Sequence, residues 1–321
     1  MKRFFFVFIS FVMVLGLGVP GAVQAQPYPN RPISLINTGT PGQMLDIPSR
    51  IFADELAKVI GTQIIVTAKP GGSMTLGTDA VVRSRKDGYT ILYTSATALV
   101  YAPLTTPKIV PYDGFKDLEI LGGRVLLPFT VTVQEGAPWK TFGELIDDAK
   151  KNPGKIRFGS VGVGATESFN LQIIESLTGA KMTLVPLSTH PAVSLLGGHI
   201  EVIGSPLSEV HTYATSGKFR ILLMAVKNPK FPNVPTLTEL GYRQDMIVGW
   251  HAFFAPAGIP EEAKKVLIPG IKKVWETPEV RTKVENLALG YEYRSPAEFR
   301  KLWEEEYQIA KEIAAKLGLG K

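Results

Sequence analysis

The 321-residue chain contains no cysteine. That excludes disulfides, thiolate metal sites and attachment of a lipid through a thiol. Histidine is scarce, with only His190, His199, His211 and His251. None lies at a metal-ligand spacing on a helix face, and no His-Glu-x-x-His occurs. Each histidine therefore reads as a surface or hydrogen-bonded residue. His251, beside Trp250, reads as packing with a polar tip. No apolar run beyond the amino-terminal segment is long enough to span a bilayer. Basic residues are scattered, and the lysine pairs Lys150-Lys151, Lys264-Lys265 and Lys272-Lys273 are short. A nucleic-acid partner would need a concentrated basic stripe with aromatic residues for stacking, and none is present.

Several reaction classes lack their motifs. There is no Gly-x-Ser-x-Gly elbow, because Gly71-Gly72-Ser73-Met74-Thr75 lacks the last glycine. Gly72 and Gly77 have the P-loop spacing, but Thr78 stands where lysine should be. Gly162-Val163-Gly164 looks like half of a dinucleotide fingerprint. The third glycine position is Glu167, whose carboxylate would face a pyrophosphate badly, and the next strand ends in Leu187-Ser188 without a ribose-binding acid. Neither a nucleotide, a metal nor another cofactor is expected, and catalysis is the weaker reading.

What is present begins with a targeting segment. Lys2 and Arg3 precede an apolar run over residues 4–19, and Val23-Gln24-Ala25 offers small residues for cleavage. Residues 1–25 read as a secretory signal peptide, since no stop-transfer pattern follows; a retained anchor is the alternative. Its removal takes the formal charge from +6 to +4, because Lys2 and Arg3 leave with it. An exported chain of this length without disulfides fits a bacterial periplasm. The mild positive balance suits an acidic small ligand.

Beyond the leader, short β-rich runs alternate with helical patterns. Strand candidates are 33–36, 63–67, 90–94, 118–122, 129–133, 156–160, 182–186, 202–205, 221–225 and 252–255. Helix candidates are 47–60, 75–83, 141–150, 167–178, 192–197, 210–216, 261–275, 278–287 and 296–317. The alternation predicts α/β lobes with largely parallel sheets, and the length allows two separate cores.

Three strand-to-helix turns stand out. The first is Asn37-Thr38-Gly39-Thr40-Pro41-Gly42-Gln43-Met44-Leu45-Asp46. Such turns leave backbone N–H groups at a helix start, where the dipole adds positive potential, so an anion is favoured. The second is Lys69-Pro70-Gly71-Gly72-Ser73. The third, Ser160-Val161-Gly162-Val163-Gly164-Ala165-Thr166, leads into a helix whose Thr166 is expected to cap it. Two Gly-rich helix starts in separate lobes can hold one ligand between them, beyond the carboxyl ends of their strands.

The ordered motifs resemble a family. Tyr28-Pro29-Asn30-Arg31-Pro32-Ile33, Lys86-Asp87-Gly88-Tyr89-Thr90-Ile91-Leu92 and Tyr112-Asp113 with Phe115-Lys116-Asp117-Leu118 match it in sequence order. Phe158-Gly159-Ser160-Val161-Gly162-Val163-Gly164, Leu195-Leu196-Gly197-Gly198-His199-Ile200-Glu201, Val234-Pro235-Thr236, and Trp250 through Phe254-Ala255-Pro256-Ala257-Gly258-Ile259-Pro260 complete the series. Over nearly the whole mature chain, the sequence resembles periplasmic substrate-binding proteins of the tripartite tricarboxylate transporter family.

The resemblance implies a two-lobed periplasmic-binding-protein (Venus-flytrap) fold with a ligand cleft between lobes. Lobe 1 would be discontinuous, 26–125 and 249–321, and lobe 2 would run over 126–248. It implies a monomeric solute receptor that binds a small organic acid and delivers it to membrane transporter subunits. An exported α/β enzyme acting on a carboxylated substrate and a periplasmic sensor subunit are the alternatives. The implied ligand contacts come from both lobes. Thr38, Gly39, Gly42, Gln43, Met44 and Asp46 belong to the first turn, and Thr94 and Ser95 to a strand end. Ser160, Gly162, Gly164, Ala165 and Thr166 belong to the third turn, and Ser205 to a later strand. The first turn departs from the family's Pro-Pro-Gly-Gly-Gly-x-Asp: Gln43 and Met44 replace glycines. The family's Pro-Tyr-Lys-Gly becomes Pro186-Leu187-Ser188-Thr189, and its aspartate after Leu-Met-Phe becomes Gly204-Ser205.

One expectation follows from the third turn. Gly162→Val should weaken ligand binding with little loss of fold, because a side chain there blocks close backbone approach. Calorimetry beside a melting curve checks this. Unchanged affinity in a folded mutant counts against the turn as a ligand contact.

Overall fold

The computed structural model describes residues 27–160, 165–187, 191–316 and 318–319. The expected signal peptide, Gly162, Gly164, Ser188, Thr189 and His190 lie outside the described residues.

Apolar β-branched residues start the first lobe. Strand β1 (Ile33–Asn37) buries Ile33, Leu35 and Ile36, and a glycine-containing turn joins it to helix α1 (Asp46–Ile60). Gly61 ends α1 in a left-handed conformation, and its N–H closes on the Ala57 carbonyl. Strand β2 (Ile64–Ala68), helix α2 (Thr75–Val82) and strand β3 (Thr90–Ser95) follow. A π-helical turn (Thr97–Tyr101) then runs into α3 (Ala102–Thr105), with α4 (Gly114–Asp117) before β4 (Leu118–Leu127).

After Pro128 the chain enters a second sheet. This part contains β5 (Phe129–Gln134), α5 (Phe142–Lys151), β6 (Arg157–Ser160), α6 (Thr166–Thr178) and β7 (Thr183–Pro186). It continues through α7 (Pro191–Leu196), β8 (Val202–Pro206), α8 (Leu207–Thr215) and β9 (Phe219–Met224). Strand β10 (Gly249–Pro256) returns to the first sheet. Helices α9 (Glu261–Trp275) and α10 (Pro278–Asn286), strand β11 (Gly290–Glu292) and helix α11 (Pro296–Lys316) end the described fold.

The sheet orders are β11-β4-β10-β3-β1-β2 and β7-β6-β8-β5-β9. The expected largely parallel pairing is corrected to a mixed one. β1 pairs in parallel with β2 and β3, and β6 with β7 and β8. β10 runs antiparallel to β3 and β4, and β5 antiparallel to β8 and β9. The cause is the passage between lobes. β4 leads into the lobe crossing whereas β5 and β10 lead out of it, so the Gly249 start of β10 pairs with the Leu127 end of β4 and the Phe129 start of β5 with the Pro206 end of β8. Strand β11 and the helical turns between residues 97 and 117 have no counterpart among the expected elements. They are too short to show a period.

Helices cover both faces of each sheet. Phe52 of α1 stacks on Trp275 of α9 at 4.4 Å between ring centroids, in a core that includes Leu56, Leu267 and Val284. The opposite face shares one apolar core with the second lobe: Trp250, Phe299 and Trp303 belong to the same cluster as Phe158, Phe169 and Ile174. Tyr101 and Phe169 meet at 5.1 Å across the lobes. The buried Asn170 side chain of α6 clasps the returning segment. It donates to the Ile247 carbonyl at 3.1 Å and accepts the Ile247 N–H at 2.7 Å.

Candidate ligand-binding cleft

The first turn is built around Asp46. Its carboxylate accepts from Asn37 Nδ2 at 2.6 Å and from the Gly42 N–H at 2.8 Å. It also accepts two bonds from Arg50, both at 2.9 Å. Asn37 in turn accepts the Gly39 N–H at 2.7 Å and donates to Ser49 Oγ at 3.1 Å. Gly42 adopts φ +77°, which glycine takes without strain. Burial works to raise the Asp46 pKa, but the bonds from Arg50, Gly42 and Asn37 outweigh it, so the carboxyl lies below its ordinary value. Asp46 thus organises the turn from beneath, where it is 2% exposed. Thr94 is likewise buried behind the wall, bonded to Thr38 Oγ1 at 2.9 Å.

The second turn is strained. Gly71, Gly72, Ser73 and Met74 all adopt positive φ, at +124°, +56°, +54° and +69°. For Ser73 and Met74 this costs about 1–2 kcal/mol each. The conformation places the Met74 sulfur where it accepts the Ser95 hydroxyl at 2.9 Å. Ser95 Oγ also accepts the Thr97 N–H at 3.1 Å.

In the second lobe, Ser160 ends β6 fully buried, 3.0 Å from Ser168 Oγ. Thr166 does not cap α6. Ala165 occupies the cap position in an extended conformation, and Thr166 is the first helical residue. A hydroxyl one position inside the helix no longer faces the N–H groups two or three residues on. Glu167 beside it is pushed up to about 8 by burial. Ser205 is fully buried in β8, and its Oγ has no hydrogen-bond partner.

The turns meet at a cleft of about 360 Å³. Thr38, Gly39, Gln43 and Met44 line it from the first turn, Ser73 and Met74 from the second, and Ser95 and Thr97 from the end of β3. Leu127, Phe129, Trp250 and His251 line it where the chain passes between lobes, and Thr166 faces it from the second lobe. Gly42, Asp46, Thr94, Ser160, Ala165 and Ser205 are not part of this wall. Among the described residues, every lining side chain is uncharged apart from the titratable His251.

Trp250 and His251 were missed as wall residues. Their apolar neighbourhood reads as core, and only the lobe-crossing position of β10 brings them to the cleft. Trp250 Nε1 donates to Glu306 Oε2 at 2.6 Å, and the Tyr101 hydroxyl donates to Glu306 Oε1 at 2.9 Å. Burial pushes Glu306 up to about 7.

The family model described as Tripartite tricarboxylate transporter family receptor matches residues 49–319. This chain belongs to that receptor family. Among relatives of the receptor, the UPF0065 protein in the gbd 5' region of Cupriavidus necator is 31% identical over 314 residues, covering 96% of this chain and 94% of the relative. Protein BugT of Bordetella pertussis is 30% identical over 262 residues, 80% of each chain. A TctC solute binding protein from Polaromonas superposes with TM-score 0.79 at 28% identity, over 90% of this chain and 99% of that one. The two-lobed fold recurs in R. palustris Rpa4515 with adipate, with TM-score 0.77 and 21% identity over 91% of this chain and 99% of that one. It recurs also in MatC from Rhodopseudomonas palustris with bound malate, with TM-score 0.73 and 22% identity over 89% and 100%.

For this receptor, Asp46→Ala should cost about 1–3 kcal/mol, because one of the two Asn37 Nδ2 N–H donors then loses its partner in the interior while the other keeps Ser49 Oγ. Because the folded pKa is depressed, the carboxylate's stabilisation is present above the unfolded value near 3.9 and is lost as pH falls through the folded value. Urea melts of both proteins from neutral pH into the acid range check this. A gap that persists unchanged at the acid end would contradict it.

Proposed function

We propose that the receptor captures an organic acid with a sizeable apolar portion and delivers it to the membrane subunits of a tripartite tricarboxylate-type transporter. It would do so in the periplasm, after removal of residues 1–25, as a monomer. The observation that carries the reading is the cleft itself. Turns at the carboxyl ends of strands in the two lobes face one space, as ligand sites of open α/β sheets do. Thr38, Gln43, Ser73, Thr97 and Thr166 supply neutral polar groups. Met44, Met74, Leu127, Phe129 and Trp250 supply apolar surface. Neighbours of the same fold that hold adipate and malate support an acid as the ligand.

The ligand would bridge lobe 1 (26–125 and 249–321) and lobe 2 (126–248), closing them by a hinge where β4 passes into β5 and the chain returns to β10. Delivery is unchanged capture and release with no chemical step. Thr38, Gly39, Gln43, Met44, Ser95 and Thr166 are the expected contacts in the wall, with Gly162 and Gly164 expected to complete the grip from the third turn.

A thermal-shift panel tests the charge. Mono- and dicarboxylates should raise the melting temperature and their amides should not. Saturation at a hundred times Kd stabilises by about 2.7 kcal/mol. Equal shifts from an acid and its neutral amide would remove the basis for the site.

Selectivity has its own test. Met44 adapts to apolar ligand surface, and Gln43 both donates and accepts. Replacing both with glycine should flatten the preference across acids of increasing apolar size. A double mutant that binds every member as the parent does would show that these two residues do not set selectivity.

A further inference from the structure

Two hydroxyls of the cleft wall are already engaged inside the protein. Thr38 is tied to Thr94, and Ser95 to Met74 and the Thr97 N–H. His251 differs. It lies in β10, paired across the sheet with Ser95 on β3 and Val125 on β4. The residue is 3% exposed, and its ring meets Tyr93 edge-on at 5.7 Å. Its Nδ1 is sealed from solvent without a hydrogen-bond partner. Its Nε2 is not sealed, and the cleft is the open space that His251 lines.

A neutral imidazole has one N–H donor and one bare acceptor nitrogen. The partner available to a ring nitrogen decides which is which. Here the sealed nitrogen has none, while the open nitrogen is the one left free to meet a ligand in the cleft that His251 lines. We propose that His251 is a specificity-determining ligand contact, presenting Nε2–H as a neutral donor to a carboxylate oxygen of the bound acid. The assignment rests on the cleft being the acid site, as proposed above.

Neutrality follows from the surroundings. Ser95 on β3 and Val125 on β4 are its register partners, Tyr93 meets the ring edge-on, and among the described residues no ionised side chain acts on it. Burial alone holds the imidazole down at about 3. A carboxylate close by favours the imidazolium by about 1–3 units, which still leaves the ring neutral at pH 7. The wall would then grip an anion through a dipole rather than a countercharge.

The test uses the mature protein with succinate, adipate, suberate, benzoate and phenylacetate as probes. The tightest binder is measured by calorimetry against three variants. His251→Phe should bind about 10- to 100-fold more weakly, the loss expected for one hydrogen bond to a charged group. His251→Gln, whose amide nitrogen reaches the Nε2 position, should recover most of that loss. His251→Asn, whose amide reaches only the Nδ1 position, should behave like His251→Phe. Melting temperatures without ligand show whether each variant is folded.

Nitrogen NMR of the unliganded protein reads the tautomer directly, and Nε2–H should be found from pH 6 to 8. Parental affinity in His251→Phe overturns the assignment while the acid-receptor reading stands. A ring found as Nδ1–H, or as imidazolium at pH 7, does the same. If the parent protein binds none of the five acids, the acid-receptor reading fails and the assignment with it.

Discussion

An anion entering this cleft gives up hydration that, among the described residues, no lining lysine or arginine replaces. Removing an ionised group from water without compensation is prohibitive. Compensation must therefore come from dipoles held in place before the ligand arrives. Much of the local architecture serves that constraint. Asp46, the acid of the first turn, is turned inward and bound by Asn37, Gly42 and Arg50. Its negative charge is thereby paired away from the space that an incoming carboxylate would occupy. Arg50, the partner cation, is half-exposed and is not part of the cleft wall.

The apolar part of the wall is held with similar firmness. Trp250 lines the cleft, and its indole nitrogen is fixed by Glu306 of α11. The same carboxyl group takes the Tyr101 hydroxyl, and the Tyr101 ring packs on Phe169 of the second lobe. One half-buried side chain on the last helix thus links the cleft wall, the turn after β3 and the interface between lobes. Its charge is unfavourable in that setting, which is why burial raises its pKa.

Much of this was legible in the residues. Apolar runs bounded by turn signals marked ten of the strands, because each run is long enough to fill a buried ladder. The amphipathic patterns of Glu261–Trp275 and Pro296–Lys316 marked the carboxyl-terminal helices. The turn chemistry of Thr38, Gln43, Met44 and Thr166 located part of the cleft wall. What escaped depended on tertiary placement. β11 is a three-residue edge strand with no periodicity to detect. Thr166 has the chemistry of a cap, but the helix begins one residue too early for it to act as one. Strand direction is invisible in a hydrophobic pattern, so the antiparallel returns at β10 and β5 could not be read. His251 sits in a run of buried aromatic and small residues, where local sequence points to core.

The division of strands between sheets has a further consequence. β5 to β9 are consecutive, so the second sheet is complete once the chain has emerged as far as Met224. The first sheet begins earlier but stays open, because β10 must come to lie between β3 and β4. Until it does, the facing edges of β3 and β4 offer unpaired backbone groups to any other extended chain. A polypeptide released from its amino end thus closes its second lobe while its first remains adhesive. The interval lasts for the passage of the intervening lobe, and for that time the chain depends on being kept from its own copies.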